Sequence, residues 1–276
     1  MKDATKKKRK RSPAQVAGLL LLGVTIVLMI TLAMFTSFDE VTNVFTAKPL
    51  DIILTETKWK PQEAKNVVPE QELDKNPSIY NNEETDAFVF LEVTVPYLPK
   101  DAVIEKNSPD NQKGLPSRTV ADYNNNIDNI VPLYKFGIQK AGRGTEETID
   151  DVYEYDTTYG SSDSAHAYDQ KINSGWALVE TPTVNTTSKT ITYVYAHVYS
   201  TGGKAGKLYP LMHGYPTEYP LFDRIRVVNF RENASIDDTK NYNISIKAYG
   251  IQTGYLGPNN TSIDDPAQVW AVVKAN

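Results

Sequence analysis

DAFVFLEVTV, residues Asp86–Val95, is the stretch from which the fold can be read. Ala87, Val89, Leu91, Val93 and Val95 alternate along it, and Phe88 and Phe90 make its first half apolar on both faces. Period-two alternation marks a strand, and a strand apolar on both sides has to be central and covered twice. TITYVYAHVYS (Thr190–Ser200) reads as a second long strand. Its small aliphatic residues Val194, Ala196 and Val198 are expected to face the core. Tyr193, Tyr195, His197 and Tyr199 are expected on a partly wet surface. Further strands are expected at Leu50–Leu54 running towards Trp59, at Trp176–Val179, at Phe222–Val228 and at Tyr242–Ile251. The last of these places Ile244, Ile246 and Ala248 on one face. Glycine, proline and asparagine punctuate these runs. One short helix is expected, with Asp265 as N-cap and Pro266 at its first position. Many short strands with almost no helix argue an all-β antiparallel sandwich.

Between Pro96 and Ser174 the pattern weakens. ADYNNNIDN and TTYGSSDSAHAYDQ are polar and loop-like, and EETIDDVYEYD (Glu146–Asp156) is an acidic run with tyrosines. This region reads as long loops or a lobe inserted into one sandwich. The expected layout is residues 1–34 as a signal peptide or membrane anchor and 35–276 as one sandwich domain, with a variable insertion at about 97–173.

The 276 residues carry a net charge of −5, unevenly spread. The first 34 hold seven of the 29 bases and one of the 34 acids, so the remainder carries 22 against 33, a net of −11. That acidity argues against nucleic acid or an anionic membrane surface as partner. The basic block Lys6–Arg11 instead fits topology, because bases flanking an apolar span stay in the cytoplasm. The apolar stretch Val16–Phe35 has the length of one membrane span and equally the form of an export signal, so a single apolar N-terminal helix is expected. Cleavage after Ala33 or after Met34 leaves a chain beginning at Met34 or Phe35; retention leaves a membrane tether. Both readings place the rest of the chain outside the cell, secreted or at the surface, with membrane contact only through this segment. The chain has no cysteine, so it relies on its core rather than on disulfides or metal thiolates, as many exported Gram-positive proteins do.

Chemistry is hard to find in the sequence. His166, His197 and His213 fit no His-Glu-x-x-His spacing, and His197 on a tyrosine-lined strand reads as a half-buried polar residue. Gly-x-Ser-x-Gly, a P-loop and a dinucleotide fingerprint are missing. The glycines of Ser200–Lys207 follow a strand as a hairpin turn does. Glu146–Asp156 lacks the EF-hand spacing and reads as a solvated acidic loop rather than a calcium site. Nothing singles out a carboxylate pair for glycosidic chemistry. The expectation is a non-enzymatic protein with no catalytic, metal or cofactor-binding residues.

Four blocks resemble a known family. FTSFDEVTNVFTAKPLDIILTETKW (Phe35–Trp59), directly after the apolar span, is similar to the start of proteins exported through the SipW type of signal peptidase. VVPEQELDKNPSIYNNEETDAFVFLEVTVP, with Pro69, Lys75 and Pro77, resembles their next block. YPLFDRIRVVNF, with Leu221, Phe222 and Asp223, and ISIKAYGIQTGYL, with Ala248, Tyr249, Ile251 and Gln252, resemble their C-terminal half. This is the family of TasA, a biofilm-matrix fibre protein, and camelysin, described as a cell-surface metalloprotease. The resemblance covers about Thr31–Pro96 and Gly175–Trp270, not the middle. It implies a jelly-roll-like sandwich in an extracellular matrix, a SipW-type peptidase as processing partner and self-assembly into a homopolymer. In TasA-like fibres the N-terminal segment of one subunit completes the sheet of its neighbour, which makes Phe35, Phe38, Val41, Val44 and Phe45 the strand-exchange candidates here. An ordinary first strand folded within its own chain is the other reading of that segment. A tethered surface module that binds a protein or a glycan is the alternative function, and a camelysin-like protease the third. The residue before Phe35 is Met rather than small, which leaves the cleavage point among Ala33, Met34 and Phe35 open.

Overall fold

The computed structural model describes residues 36–40, 50–60, 68–103, 130–141, 147–156, 168–230, 242–253 and 263–275. The expected N-terminal helix and the cleavage-region residues Ala33, Met34 and Phe35 lie outside them, as do Val41, Val44 and Phe45. Among the described residues no helix is long and apolar enough to cross a membrane.

The strands are β1 (Thr36–Glu40), β2 (Ile52–Thr55), β3 (Glu72–Asp74), β4 (Ser78–Asn81) and β5 (Ala87–Pro99). They continue as β6 (Ile130–Pro132), β7 (Tyr134–Gln139), β8 (Tyr153–Tyr155), β9 (Trp176–Leu178) and β10 (Thr183–Asn185). Last come β11 (Thr190–His197), β12 (Arg224–Val227) and β13 (Ser245–Gln252). A 3-10 turn at Lys100–Ala102, one α-helical turn, α1 (Ile149–Val152), and a C-terminal helix, α2 (Pro266–Ala275), complete the described elements. All pairings among the described strands are antiparallel. The large sheet runs β1-β13-β5-β11-β10, with β6 also on β5 and β9 also on β11; a second sheet runs β3-β12-β7-β8, and β2 pairs β4. The all-β antiparallel expectation is met.

The thirteen-residue β5 is central, as its sequence requires. Val89, Leu91, Val93 and Val95 enter a core shared with Leu73, Phe136, Ile225 and Val227 of the second sheet. Phe88 and Phe90 enter a smaller core on the opposite face, closed by Val269, Trp270 and Val273 of α2. Ile246 and Ala248 of β13 join the first core with Ile244 packed against it, and Ile251 joins the second. Helix α2 starts where expected: the Asp265 carboxylate accepts the backbone N–H groups of Ala267 and Gln268, both at 3.1 Å. Its Trp270 ring lies 5.4 Å from that of Phe90.

Three expectations are corrected. The tyrosine face of β11 is not wet: Tyr193 and Tyr195 are 1% and 2% exposed and lie inside the larger core, while Val194 and Ala196 sit under α2. Burial is possible because the Tyr193 hydroxyl donates to the Tyr168 carbonyl at 2.6 Å, from a segment with no strand signal of its own. Within the stretch 97–173, the described residues include segments that belong to the body of the fold rather than to loops. Strand β6 pairs the end of β5, the chain turns at buried Leu133, and β7 then pairs β12 in the second sheet. The acidic run is not a loop. Its described part forms α1 and β8, and Tyr153 and Tyr155 lie 4.6 and 4.2 Å from the guanidinium carbons of Arg224 and Arg226. Arg226 also donates to Glu72 at 2.6 and 3.0 Å.

The blocks carrying the resemblance are structural here. Lys75, 3% exposed, reaches Glu56 at 2.6 Å and lies over the Trp59 ring at 4.1 Å, joining β2 and the β3–β4 connection. Phe222 stacks on Phe136 at 4.1 Å, and the Asp223 carboxylate accepts the Gln139 N–H at 2.9 Å.

Fully buried Val89 and Ile246 give a test of this arrangement. Val89→Asp and Ile246→Asp each bury a charge without a partner and should cost on the order of 4 kcal/mol in urea denaturation. Parent-like midpoints in both would show that these faces do not form the core.

Candidate functional site

Two features stand apart from packing: an edge strand contributed by the N-terminus, and an aromatic cavity at the end of β11. Strand β1 pairs β13 in a five-residue register from Thr36 opposite Ile251 to Glu40 opposite Lys247, with Phe38 opposite Tyr249. It is the outermost strand on that side of the large sheet. Of the strand-exchange candidates, Phe38 alone lies among the described residues, and in the single chain it belongs to a strand paired in cis.

The cavity holds about 210 Å³ and opens where β9 and β11 meet. Trp176, Tyr199, Tyr209 and Tyr219 bring four aromatic side chains to its lining, and His197 and Glu218 bring a base and a carboxylate. Ser174, Ser200 and Thr201 add hydroxyls. Strand register explains half of this set. His197 sits opposite Trp176 across the β9–β11 pair, and their rings lie 5.4 Å apart. The other half comes from the loop YPLMHGYPTEYP (Tyr209–Pro220), in which three tyrosines each precede a proline. A residue before proline is held extended, so its side chain and carbonyl point away from a helical path.

All three tyrosine carbonyls are used as acceptors: Tyr215 takes the Asn81 backbone N–H at 3.0 Å, and the other two hold the rings of the cavity. Tyr219 takes the Trp176 indole N–H at 3.0 Å, and Tyr209 is 3.3 Å from His197 Nδ1. A carbonyl can only accept, so Nδ1 carries the proton of the neutral ring and Nε2 is left as an acceptor. The loop is pinned to the sheets along its length. Ala87 and Leu211 exchange backbone bonds at 3.1 and 2.8 Å, and Thr217 donates to Ile79 at 2.8 Å. Buried Asn81 donates to the Leu211 carbonyl at 2.8 Å. The glycine run folds as expected of a hairpin: Tyr199 donates to Lys207 at 2.9 Å, and Gly202 and Gly206 take positive φ of 84° and 79°.

Among the three histidines, His166 lies outside the described residues. His213 is exposed, and its ring bonds to the Glu83 carbonyl. His197 is buried rather than half-buried, at 4% exposure. Among the described residues no three His, Cys, Asp or Glu side chains gather as a metal site would require. The sequence places Trp176, His197 and Tyr199 on expected strands but gives no sign of Tyr209, Glu218 and Tyr219; the repeated Tyr-Pro pairs were the available signal. No family model, curated protein or solved structure matches the chain.

Burial pushes the His197 imidazole down from 6.5 to about 4, against smaller raising effects of the Tyr209 carbonyl and Glu218. Between those values the unfolded chain binds the proton and the folded chain does not. The stability contributed by neutral His197 is therefore full above pH 6.5 and is lost as the pH falls towards 4. His197→Phe should remove this part of the acid sensitivity, on the order of 3 kcal/mol. Urea midpoints of parent and variant at pH 7 and pH 4.5 measure it, and parallel pH profiles would refute it.

Proposed function

We propose that this chain is an exported structural subunit of an extracellular matrix or cell-surface fibre, assembling by exchange of its N-terminal strand. The observation that carries the reading is the position of β1: an N-terminal edge strand that, among the described strands, pairs with β13 alone. The same five-residue register can be satisfied by the subunit's own strand or by a neighbour's. Edge pairing supplies main-chain hydrogen bonds for affinity and alternate side-chain positions for specificity. Each phenylalanine of Phe35–Phe45 that docks would contribute roughly 1.5–3 kcal/mol before ordering costs.

Handing the strand from subunit to subunit is a head-to-tail contact, and such a contact does not close on itself, so it builds a filament. Removal of an N-terminal signal by a SipW-type peptidase, near Ala33 to Phe35, would free the strand only outside the cell and prevent early assembly. The resemblance to the TasA and camelysin family, the apolar N-terminal helix expected from the sequence and a jelly-roll arrangement of the two sheets all fit this reading. The partners are further copies of the chain. A second reading, a membrane-tethered surface binding module, draws on the aromatic cavity.

Because the chain has no cysteine, the register can be tested by cross-linking. Phe38→Cys and Tyr249→Cys are introduced in separate subunits, mixed and allowed to assemble under oxidising conditions. Exchange should yield a disulfide between the two variants along the fibre, and deletion of residues 35–45 should leave monomers. Fibres formed by the deletion variant, or assembled mixtures without the inter-subunit bond, would sink the proposal.

A further inference from the structure

We propose that the aromatic cavity at the end of β11 binds one pyranose unit of a neutral polysaccharide. This inference is independent of the strand-exchange reading. Its first support is size. At about 210 Å³ the cavity is smaller than the roughly 300–1,000 Å³ sites of drug-sized ligands and suits a single ring.

Charge narrows the class. Glu218 on the lining repels an anion. A cation meets a different obstacle: Lys204 Nζ already stands over the Tyr199 ring, 5.6 Å from its centroid, so the cation–π position there is taken by a like charge. A neutral guest meets neither penalty.

The remaining chemistry matches a sugar. A pyranose has an apolar C–H face and a rim of hydroxyls that both donate and accept. Tyrosine and tryptophan rings cover an apolar face; the Trp176 N–H is already given to the Tyr219 carbonyl, so the polar contacts fall to other groups of the lining. For the rim, His197 Nε2 and the Glu218 carboxylate accept, and the Ser200 and Thr201 hydroxyls donate or accept. A guest with donors alone or acceptors alone leaves part of this set unpaired, which is costly in an enclosed site.

The site is also built in advance of any ligand. The Trp176 and His197 rings are held by carbonyls of the Tyr-Pro loop, and backbone bonds pin that loop to β4 and β5. Little ordering remains to be done on binding. Tyr209 and Tyr219 are 36% and 47% exposed, which leaves surface that a neighbouring residue of a longer glycan could cover.

The test uses the exported chain and tryptophan fluorescence with saturation-transfer NMR. Methyl glucoside, methyl N-acetylglucosaminide, maltotetraose, cellotetraose and chitotetraose are the neutral probes, with tetramethylammonium and inorganic phosphate as charged ones. At least one neutral saccharide should bind saturably, the tetramer more tightly than the single unit. Tyr219→Ala, which removes an exposed ring and keeps the backbone carbonyl that holds Trp176, should weaken binding by up to about tenfold with an unchanged melting temperature. Glu218→Ala should also weaken it. Failure of all five saccharides with the folded chain, tighter binding of either ion, or affinity unaltered in both variants would overturn the assignment.

Discussion

A strand that is apolar on both faces needs two separate covers, and β5 obtains them from distant parts of the chain. The second sheet, built from residues near 72, 135 and 225, closes one face; α2, beginning at Pro266, closes the other. Its flanking strands β11 and β13 are separated from it by about one hundred and one hundred and fifty residues in sequence, as Thr94 opposite Thr192 and opposite Ser245 shows. The pairings that hold β5 are therefore long-range, and in a chain without cysteine no disulfide shortens those loops. Burial of β5 has to carry the fold, which is why the polar groups forced inside with it are paired. Tyr193 finds a carbonyl, and Lys75 finds Glu56.

A sheet organised around one central strand still has two edges, and the chain treats them differently. On one side the sheet ends in three-residue strands, β9 and β10, too short to template another chain. On the other, β13 is eight residues long and would offer an extended open edge without β1. An edge of that length needs a cover, and β1, the first described strand, supplies it; on the reading proposed above that cover is traded between copies.

Much of this was legible in the sequence where one element carries its own pattern. Alternation in Ala87–Val95 gave the central strand and both of its faces, and Asp265-Pro266 gave the start of α2 to the residue. What was not legible depended on partners elsewhere. Tyr193 and Tyr195 look wet until Tyr168 supplies an acceptor, and Tyr168 lies in a polar stretch without periodicity. Strand β7, YKFGIQ, carries a buried lysine, and its Gly137 lies against the Tyr155 ring, where an added Cβ would fall 2.6 Å from Cζ. Neither feature reads as core until β8 and the Asp169 carbonyl, 2.8 Å from Lys135 Nζ, are in place. The cavity was hidden for the same reason. Trp176, His197 and Glu218 are scattered in sequence, and a loop of Tyr-Pro pairs reads as turn punctuation rather than as a wall.

The edge and the cavity lie on opposite sides of the central strand. Across the large sheet the order is β1, β13, β5, β11, and the cavity forms where β9 meets β11. Assembly through β1 and β13 would therefore leave the cavity free of subunit contacts and repeat it once per subunit along a fibre. That geometry bears on affinity. A site for one sugar ring binds weakly by itself, since few atoms are buried and the cost of association is fixed. A row of such sites meeting a polymer of repeating sugars turns each later contact into an intramolecular one, and avidity rises without any new interaction. If both proposals hold, weak single sites and open-ended assembly complement each other: a filament would supply the multiplicity that one cavity lacks, and the cavities would give it a hold on a polysaccharide matrix.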